Sequence, residues 1–145
     1  MRALERPPSI VEDIMSAPLI TVETGVIVRD AALLMTEKKI GSIIVTDAGK
    51  PVGIVTERDA LARVVSLCRD PCETRMSEIM SSPLITIPKE TEILAAMRKM
   101  REDGIRRLGV TDDGNIVGMV TERDIIRAVS ISSLTSFSTL LRKRR

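Results

Sequence analysis

Val52-Gly53-Ile54-Val55-Thr56-Glu57-Arg58-Asp59 returns 65 positions later as Val117-Gly118-Met119-Val120-Thr121-Glu122-Arg123-Asp124. Each copy is a short β-branched run that ends in Thr-x-x-Asp, the signature of a strand handing over to a helix. The same offset holds outward from this block. Val45-Thr46-Asp47-Ala48-Gly49 returns as Val110-Thr111-Asp112-Asp113-Gly114, a turn placed just before the repeated strand. Further out, Ile14-Met15-Ser16-Ala17-Pro18-Leu19-Ile20-Thr21-Val22 returns as Ile79-Met80-Ser81-Ser82-Pro83-Leu84-Ile85-Thr86-Ile87. Three blocks in one register mean that no insertion or deletion separates the copies. The chain is a tandem duplication.

Each copy reads in the same order. Ser9-x-x-Glu12 has the spacing of a capping box after Pro8 and opens a short helix. Leu19 to Val22 is a short apolar strand. Residues 26–38 place Val28, Ala31, Ala32 and Met35 at helical spacing with charge on the opposite face. Ile43 to Thr46 and Pro51 to Val55 form a hairpin about Asp47-Ala48-Gly49. Thr56-x-x-Asp59 then starts a helix whose apolar residues are Leu61, Ala62, Val64 and Val65. In the second copy the long helix spans residues 91–103, and Gly104 ends it.

The fold class is therefore α/β, in the α+β sense, built from two β-α-β-β-α repeats. A unit of about 60 residues buries too little surface to be secure alone. The two copies are expected to pack sheet to sheet as one pseudo-twofold pair with two related clefts. The organisation expected is a first repeat over 9–67, a linker over 68–73, a second repeat over 74–130 and an amphipathic basic tail over 131–145.

Composition narrows the function classes. The 145 residues are 43% hydrophobic and 29% charged, within the range of globular domains. No apolar run approaches the roughly 20 residues that span a bilayer, and the first residues lack a secretory h-region, so a cytoplasmic location is expected. A net charge of +2 is small, and Arg142-Lys143-Arg144-Arg145 supplies it, which argues against nucleic acid as partner. There is no His, Trp or Tyr, and Phe137 is the single aromatic residue. Stacking platforms for single-stranded nucleic acid are absent, and so is the usual proton-exchanging side chain near neutral pH. No nucleophile elbow or Walker-type loop occurs, so no catalytic residue is nominated. Cys68 and Cys72 could offer two soft metal ligands where structural zinc wants four; the plain alternative is a pair of reduced buried or linker residues. No metal site is assigned.

The order Ile-Met-Ser-x-Pro-Leu-Ile-Thr, long amphipathic helix, hairpin and Gly-x-Val-Thr-Glu-Arg-Asp resembles the CBS domain, arranged as a tandem pair or Bateman module, over roughly residues 9–130. The resemblance implies a non-catalytic regulatory module that binds adenosine-containing ligands in its clefts: AMP, ADP, ATP or S-adenosylmethionine. No cofactor is required. It also implies a homodimer. By the same resemblance, Thr56 and Asp59 of the first copy, and Thr121 and Asp124 of the second, contact phosphate and ribose. Arg106 and Arg107 match basic residues that reach phosphates; Ser42, with Gly41, stands in their place in the first copy and offers only neutral hydrogen bonds. Thr21 and Thr86, beside Ile20 and Ile85, are the strand residues placed to border an adenine ring. Where the family often carries Pro after the basic pair, Gly109 and Ile44 stand, so the strand there is expected straighter or looser.

Each assignment has a structural counterpart. Thr-x-x-Asp caps a helix whether or not it binds, because the carboxylate and hydroxyl keep spare lone pairs. Core packing accounts for Ile20 and Ile85, and a solvated strand end or ion pairing would account for the arginines. Leu134, Phe137, Leu140 and Leu141 near helical spacing suit packing in a dimer, partner docking or an anionic surface. Two functions are carried forward: a sensor of energy or metabolite state that signals to a partner protein, and a ligand-independent dimerisation or scaffold module.

Overall fold

The computed structural model describes residues 7–17 and 19–130, so the 131–145 tail lies outside the described residues. The fold is mixed α+β with two three-stranded sheets. It divides into two compact units: Leu19 to Leu84, and the chain ahead of Leu19 together with the chain from Ile85 onward. Among the described residues no helix is long and apolar enough to cross a membrane.

The contiguous unit runs β1 (Thr21–Glu23), α1 (Val28–Lys38), β2 (Ser42–Asp47), β3 (Lys50–Thr56), α2 (Glu57–Ala60) and α3 (Met76–Ile79). β1 lies parallel to β2, which demands a crossover, and α1 provides it. β2 and β3 are antiparallel across a tight turn. Ala48 (φ 50°) and Gly49 (φ 80°) are both left-handed there, the backbone that matches strand twist in a two-residue hairpin. Val28, Ala31 and Met35 of α1 pack on Ile43, Val45 and Val55 of the sheet, and Val64, Met76 and Ile79 complete the core.

The discontinuous unit begins with a 3-10 turn at Val11–Asp13 and then runs β4 (Thr86–Pro88), α4 (Ile93–Asp103), β5 (Arg107–Asp112) and β6 (Asn115–Thr121). A last helix, α5, follows over 122–130. Its sheet repeats the pairing of the first: β4 parallel to β5, β5 antiparallel to β6. Ala96 and Met100 of α4 face Leu108, Val110 and Val120, with Val11, Ile87 and Ile125 around them. Gly104, left-handed at φ 64°, ends α4.

Four local expectations are corrected. At the N-terminus Asp13, not Glu12, supplies the capping carboxylate: it accepts Ser9 N–H at 2.9 Å and Ile10 N–H at 3.1 Å. The long helix of the first copy starts at Val28 rather than Val26, because Val26 C=O accepts Met76 N–H and Ile27 bridges to Arg75. Ala32 is exposed, leaving Val28, Ala31 and Met35 as the buried stripe.

The helix after β3 also departs from its expected packing. Leu61, Ala62 and Val65 are exposed and Val64 alone is buried. Residues Leu61–Val65 form a π turn, in which Ser66 N–H donates to Leu61 C=O at 2.8 Å. The extra residue per turn rotates the buried position by one. In α5 the buried residues are Ile125 and Ala128; the counterpart of Ala128 is Arg63, which the π turn swings outward while Val64 goes in.

In both units the segment ahead of the repeat's first strand packs on the sheet of the other repeat. Ser81 pairs with Ile54 of β3, with Ile54 N–H donating to Ser81 C=O at 3.1 Å and Ser81 N–H returning the bond at 2.9 Å. Ser16 pairs in the same way with Met119 of β6. The close approach explains the paired glycines: a Cβ on Gly53 would meet the Ser81 carbonyl at 2.8 Å, and one on Gly118 would meet the Ser16 carbonyl at 3.1 Å.

Candidate functional site

In the contiguous unit, alternation along the sheet sorts the side chains. Ile43, Val45 and Val55 turn into the unit's own core, which assigns Ser42, Ile44 and Thr56 to the opposite face. Ser42 stands across the ladder from Thr56, and Thr21 stands across from Ile44. Three of the expected residues thus share one sheet face. Ile20 instead packs against the core.

Thr56 ends β3 and opens α2. Its hydroxyl accepts Asp59 N–H at 3.2 Å, and Asp59 Oδ2 accepts Thr56 N–H at 2.9 Å. This closed capping box fixes both side chains. The Asp59 side chain is 17% exposed, and its second oxygen lies 4.0 Å from Arg63 Nε. Arg63 also donates through Nη1 to Ile79 C=O at 2.7 Å and Met80 C=O at 3.2 Å.

The discontinuous unit builds the same corner. Thr121 accepts Asp124 N–H at 3.2 Å, and Asp124 Oδ2 accepts Thr121 N–H at 2.9 Å. Arg107 stands across the ladder from Thr121, and Thr86 across from Gly109. Gly109 keeps its ladder place and donates N–H to Ile85 C=O at 3.0 Å, a bond that a proline there would lack. Arg106 is 78% exposed in its side chain and pairs with Glu122 at 3.7 Å, an ion pair within one unit. Arg107 is half-buried and has no side-chain partner among the described residues. Because Ala128 replaces Arg63, the Oδ1 of Asp124 also stands without a partner among those residues.

Capping uses one oxygen of each carboxylate and one lone pair of each hydroxyl. A second carboxylate oxygen can accept from a vicinal diol, and a Thr hydroxyl can still donate to an anionic oxygen. A cavity of about 450 Å³ lies elsewhere in the discontinuous unit, lined by Pro8, Ser9, Ile10, Glu92, Ile93, Leu94, Ala128 and Val129. None of the candidate residues borders it. Cys68 and Cys72 are both exposed free thiols, and the described residues contain no group of three or more His, Cys, Asp or Glu that could hold a metal ion.

Sequence reasoning missed Arg63 and Glu57. Arg63 is visible as a cation where the repeat has Ala128, but its reach to Ile79 depends on the π turn. Glu57 recurs as Glu122; the signal is that Gly41, unlike Arg106, leaves it unpaired.

Comparison with known proteins places this arrangement. The family model described as "CBS domain" matches twice, over residues 11–66 and 76–131. An uncharacterized protein of Methanopyrus kandleri, MK0525, is 42% identical over 100 residues, covering 68% of this chain and 51% of that protein. The chain spans about half the length of curated relatives it matches. A putative signal-transduction protein with CBS domains from Burkholderia ambifaria superposes with a TM-score of 0.75 at 31% identity, covering 84% of this chain and 93% of that one. The CBS domain pair of protein MJ0100, solved in complex with 5′-methylthioadenosine and S-adenosyl-L-methionine, gives a TM-score of 0.74 at 30% identity, covering 85% of this chain and 97% of that one.

Proposed function

Because this chain belongs to the CBS domain family, whose tandem pairs are regulatory modules, we propose that it binds adenosine-containing ligands at its two Thr-x-x-Asp corners and signals their presence. The observation that carries the reading is the repeated corner itself: Thr56–Asp59 and Thr121–Asp124 are held in the same geometry, each with lone pairs left over after capping. A nucleoside ribose supplies the vicinal diol that such a carboxylate accepts. The MJ0100 pair, a structural neighbour at 30% identity, holds two adenosine compounds. AMP, ADP, ATP and S-adenosylmethionine are the ligands to try, and no catalytic step is assigned.

Signalling requires that the ligand bind two conformations of the chain unequally, and the partner that reads the difference is a protein. Self-association accompanies this reading. Leu61, Val65 and Leu67 in the contiguous unit, and Ile126 and Val129 in the other, are each more than half exposed, which suits a homodimer. A ligand-independent scaffold is favoured by the same exposed residues and differs in predicting no response to nucleosides.

The deciding experiment is thermal unfolding against AMP, ADP, ATP, GTP and S-adenosylmethionine, repeated with Asp124→Asn. A ligand at 100 times its Kd stabilises the native state by ~2.7 kcal/mol. An amide oxygen at position 124 still accepts Thr121 N–H, so the cap persists while the ionised acceptor is lost. A shift confined to adenosine compounds and weakened by Asp124→Asn supports the sensor. No shift with any of them at millimolar concentration overturns it in favour of the scaffold.

A further inference from the structure

The two corners share Thr, Asp, Glu and Arg at matching places and differ at the strand entry beside them. In both units the residue before the strand accepts a backbone bond from the first helical residue: Gly41 C=O from Glu57 N–H at 3.0 Å, Arg106 C=O from Glu122 N–H at 2.9 Å. Ser42 and Arg107 follow, each directly across the ladder from the capping threonine. Strand entry, capping threonine and first helical glutamate therefore form one contiguous patch beside each capping aspartate.

In the discontinuous unit this patch is cationic. Arg106 lies 3.7 Å from the Glu122 carboxylate and offsets it, and Arg107 remains without a partner among the described residues. In the contiguous unit no cation occupies the strand entry. The Glu57 carboxylate instead closes over Gly41, 3.6 Å from the point where a side chain would begin, and it has no partner among the described residues. Arg58 and Arg123 are common to both corners and do not distinguish them. Lys38 and Lys39, where the other copy has Asp103 and Gly104, end α1 ahead of the strand entry and form no ion pair among the described residues, so they leave Glu57 uncompensated. Arg63 is committed to Asp59 and to the carbonyls of Ile79 and Met80.

We infer that the two corners sort adenosine compounds by the charge of their 5′ substituent: the Thr121–Asp124 corner takes those carrying a phosphate, and the Thr56–Asp59 corner takes those that are neutral or cationic there. The inference rests on the adenosine reading above. A ribose diol on the aspartate directs the 5′ substituent toward the strand entry. There a phosphate meets Arg107 and the neutralised Arg106–Glu122 pair in one unit, gaining charge-assisted hydrogen bonds. In the other unit it meets the uncompensated Glu57 carboxylate, and like charges at such separations repel. A thioether incurs no such repulsion, and a sulfonium is attracted. One chain could then report two different classes of metabolite at once.

The test is calorimetric titration of the full chain with AMP and 5′-methylthioadenosine, singly and together. Expected are one AMP and one 5′-methylthioadenosine per chain, neither displacing the other. Asp124→Asn removes the AMP equivalent and Asp59→Asn the 5′-methylthioadenosine equivalent. Glu57→Gln, an exposed substitution that keeps side-chain size, tightens AMP at the contiguous corner by about tenfold, so that a second AMP per chain appears. Mutual displacement of the two ligands at both corners overturns the sorting, as does loss of AMP with Asp59→Asn or an unchanged AMP stoichiometry in Glu57→Gln. Absence of binding by either ligand is a different result, since it overturns the adenosine reading and the sorting with it.

Discussion

Arg63 reaches out of the π turn that follows α2 to donate to the Ile79 main-chain carbonyl at 2.7 Å, and so ties that turn to the end of α3 in the contiguous unit. Its counterpart in the other unit is the buried Ala128, which can make no such tie. Ile79 and Met80 lie just ahead of Ser81, the residue that bridges to β3, so Arg63 steadies the segment on which that bridge depends.

Arg63→Ala is expected to destabilise the fold by about 1 kcal/mol, the range of one partly solvated charged hydrogen bond. Arg63→Lys should recover only part of this, since an ammonium does not span two carbonyls and a carboxylate as a guanidinium does. Urea unfolding of the three proteins measures both differences. Equal stability of all three would remove Arg63 from the account of the contiguous unit.

Gly53→Ala places a methyl group 2.8 Å from the carbonyl of Ser81, a residue that two backbone hydrogen bonds hold to Ile54. Overpacking of this kind costs about 1–3 kcal/mol. Met80, also near that position, has a flexible side chain and can move; Ser81 cannot without breaking its bridge to Ile54. Chemical denaturation should show the loss, and hydrogen exchange should show faster exchange at the Ile54 and Ser81 amides.

Glu78 carries a pH signature. Its carboxylate accepts Arg75 N–H at 2.6 Å and Arg69 Nη2 at 2.6 Å. The Arg75 backbone bond first, and the Arg69 guanidinium second, hold its pKa below the ordinary 4.5. A depressed folded pKa means stability that is present above the unfolded value and lost as pH falls through the folded one. Glu78→Gln should therefore be less stable than the parent at pH 7. The gap should begin to close as pH drops below 4.5 and vanish once the parent carboxylate is protonated. Thermal unfolding across pH 3–7 reads the effect, and a gap that stays constant over that range would contradict it.

Thr121→Ala removes the hydroxyl that accepts Asp124 N–H. Loss of such an N-cap costs about 1 kcal/mol. On the proposed function it also removes a donor to the ligand, so affinity for AMP should fall beyond what reduced stability explains. Thr121→Ser keeps the hydroxyl and should restore both properties. Restoration of stability without restoration of affinity would point to the threonine methyl group instead.

Much of this was legible in the residues, for identifiable reasons. A constant offset between copies required the two sheets to share one topology. Thr-x-x-Asp at the strand–helix junction specified a capping box, because hydroxyl and carboxylate at that spacing reach each other's main-chain N–H groups. Asp47-Ala48-Gly49 and Asp113-Gly114 marked hairpins because a tight turn needs left-handed backbone. The exchange of leading segments was not legible. Periodicity reports which face of an element is apolar, and Met15 and Met80 suit either of two equivalent sheets. The π turn at Leu61–Val65 escaped for a related reason: the two copies align there without a gap, so nothing in the spacing announces that one helix carries an extra residue in a turn. With it went the exposure of Leu61 and Val65 and the role of Arg63.

The traded leading segments also set an order of assembly. Leu19 to Leu84 contains every strand and helix its unit needs, so that unit can close as soon as this stretch has left the ribosome. The other unit cannot close then, because Val11 and Ser16, synthesised early, must wait for Thr91 and Met119. The finished contiguous unit lies between them in the chain and shortens the loop that remains to be closed. The same arrangement fixes where the protein can be divided. A cut at the repeat boundary strands one leading segment on each fragment with no sheet to cover, whereas residues 19–84 carry a complete set of partners.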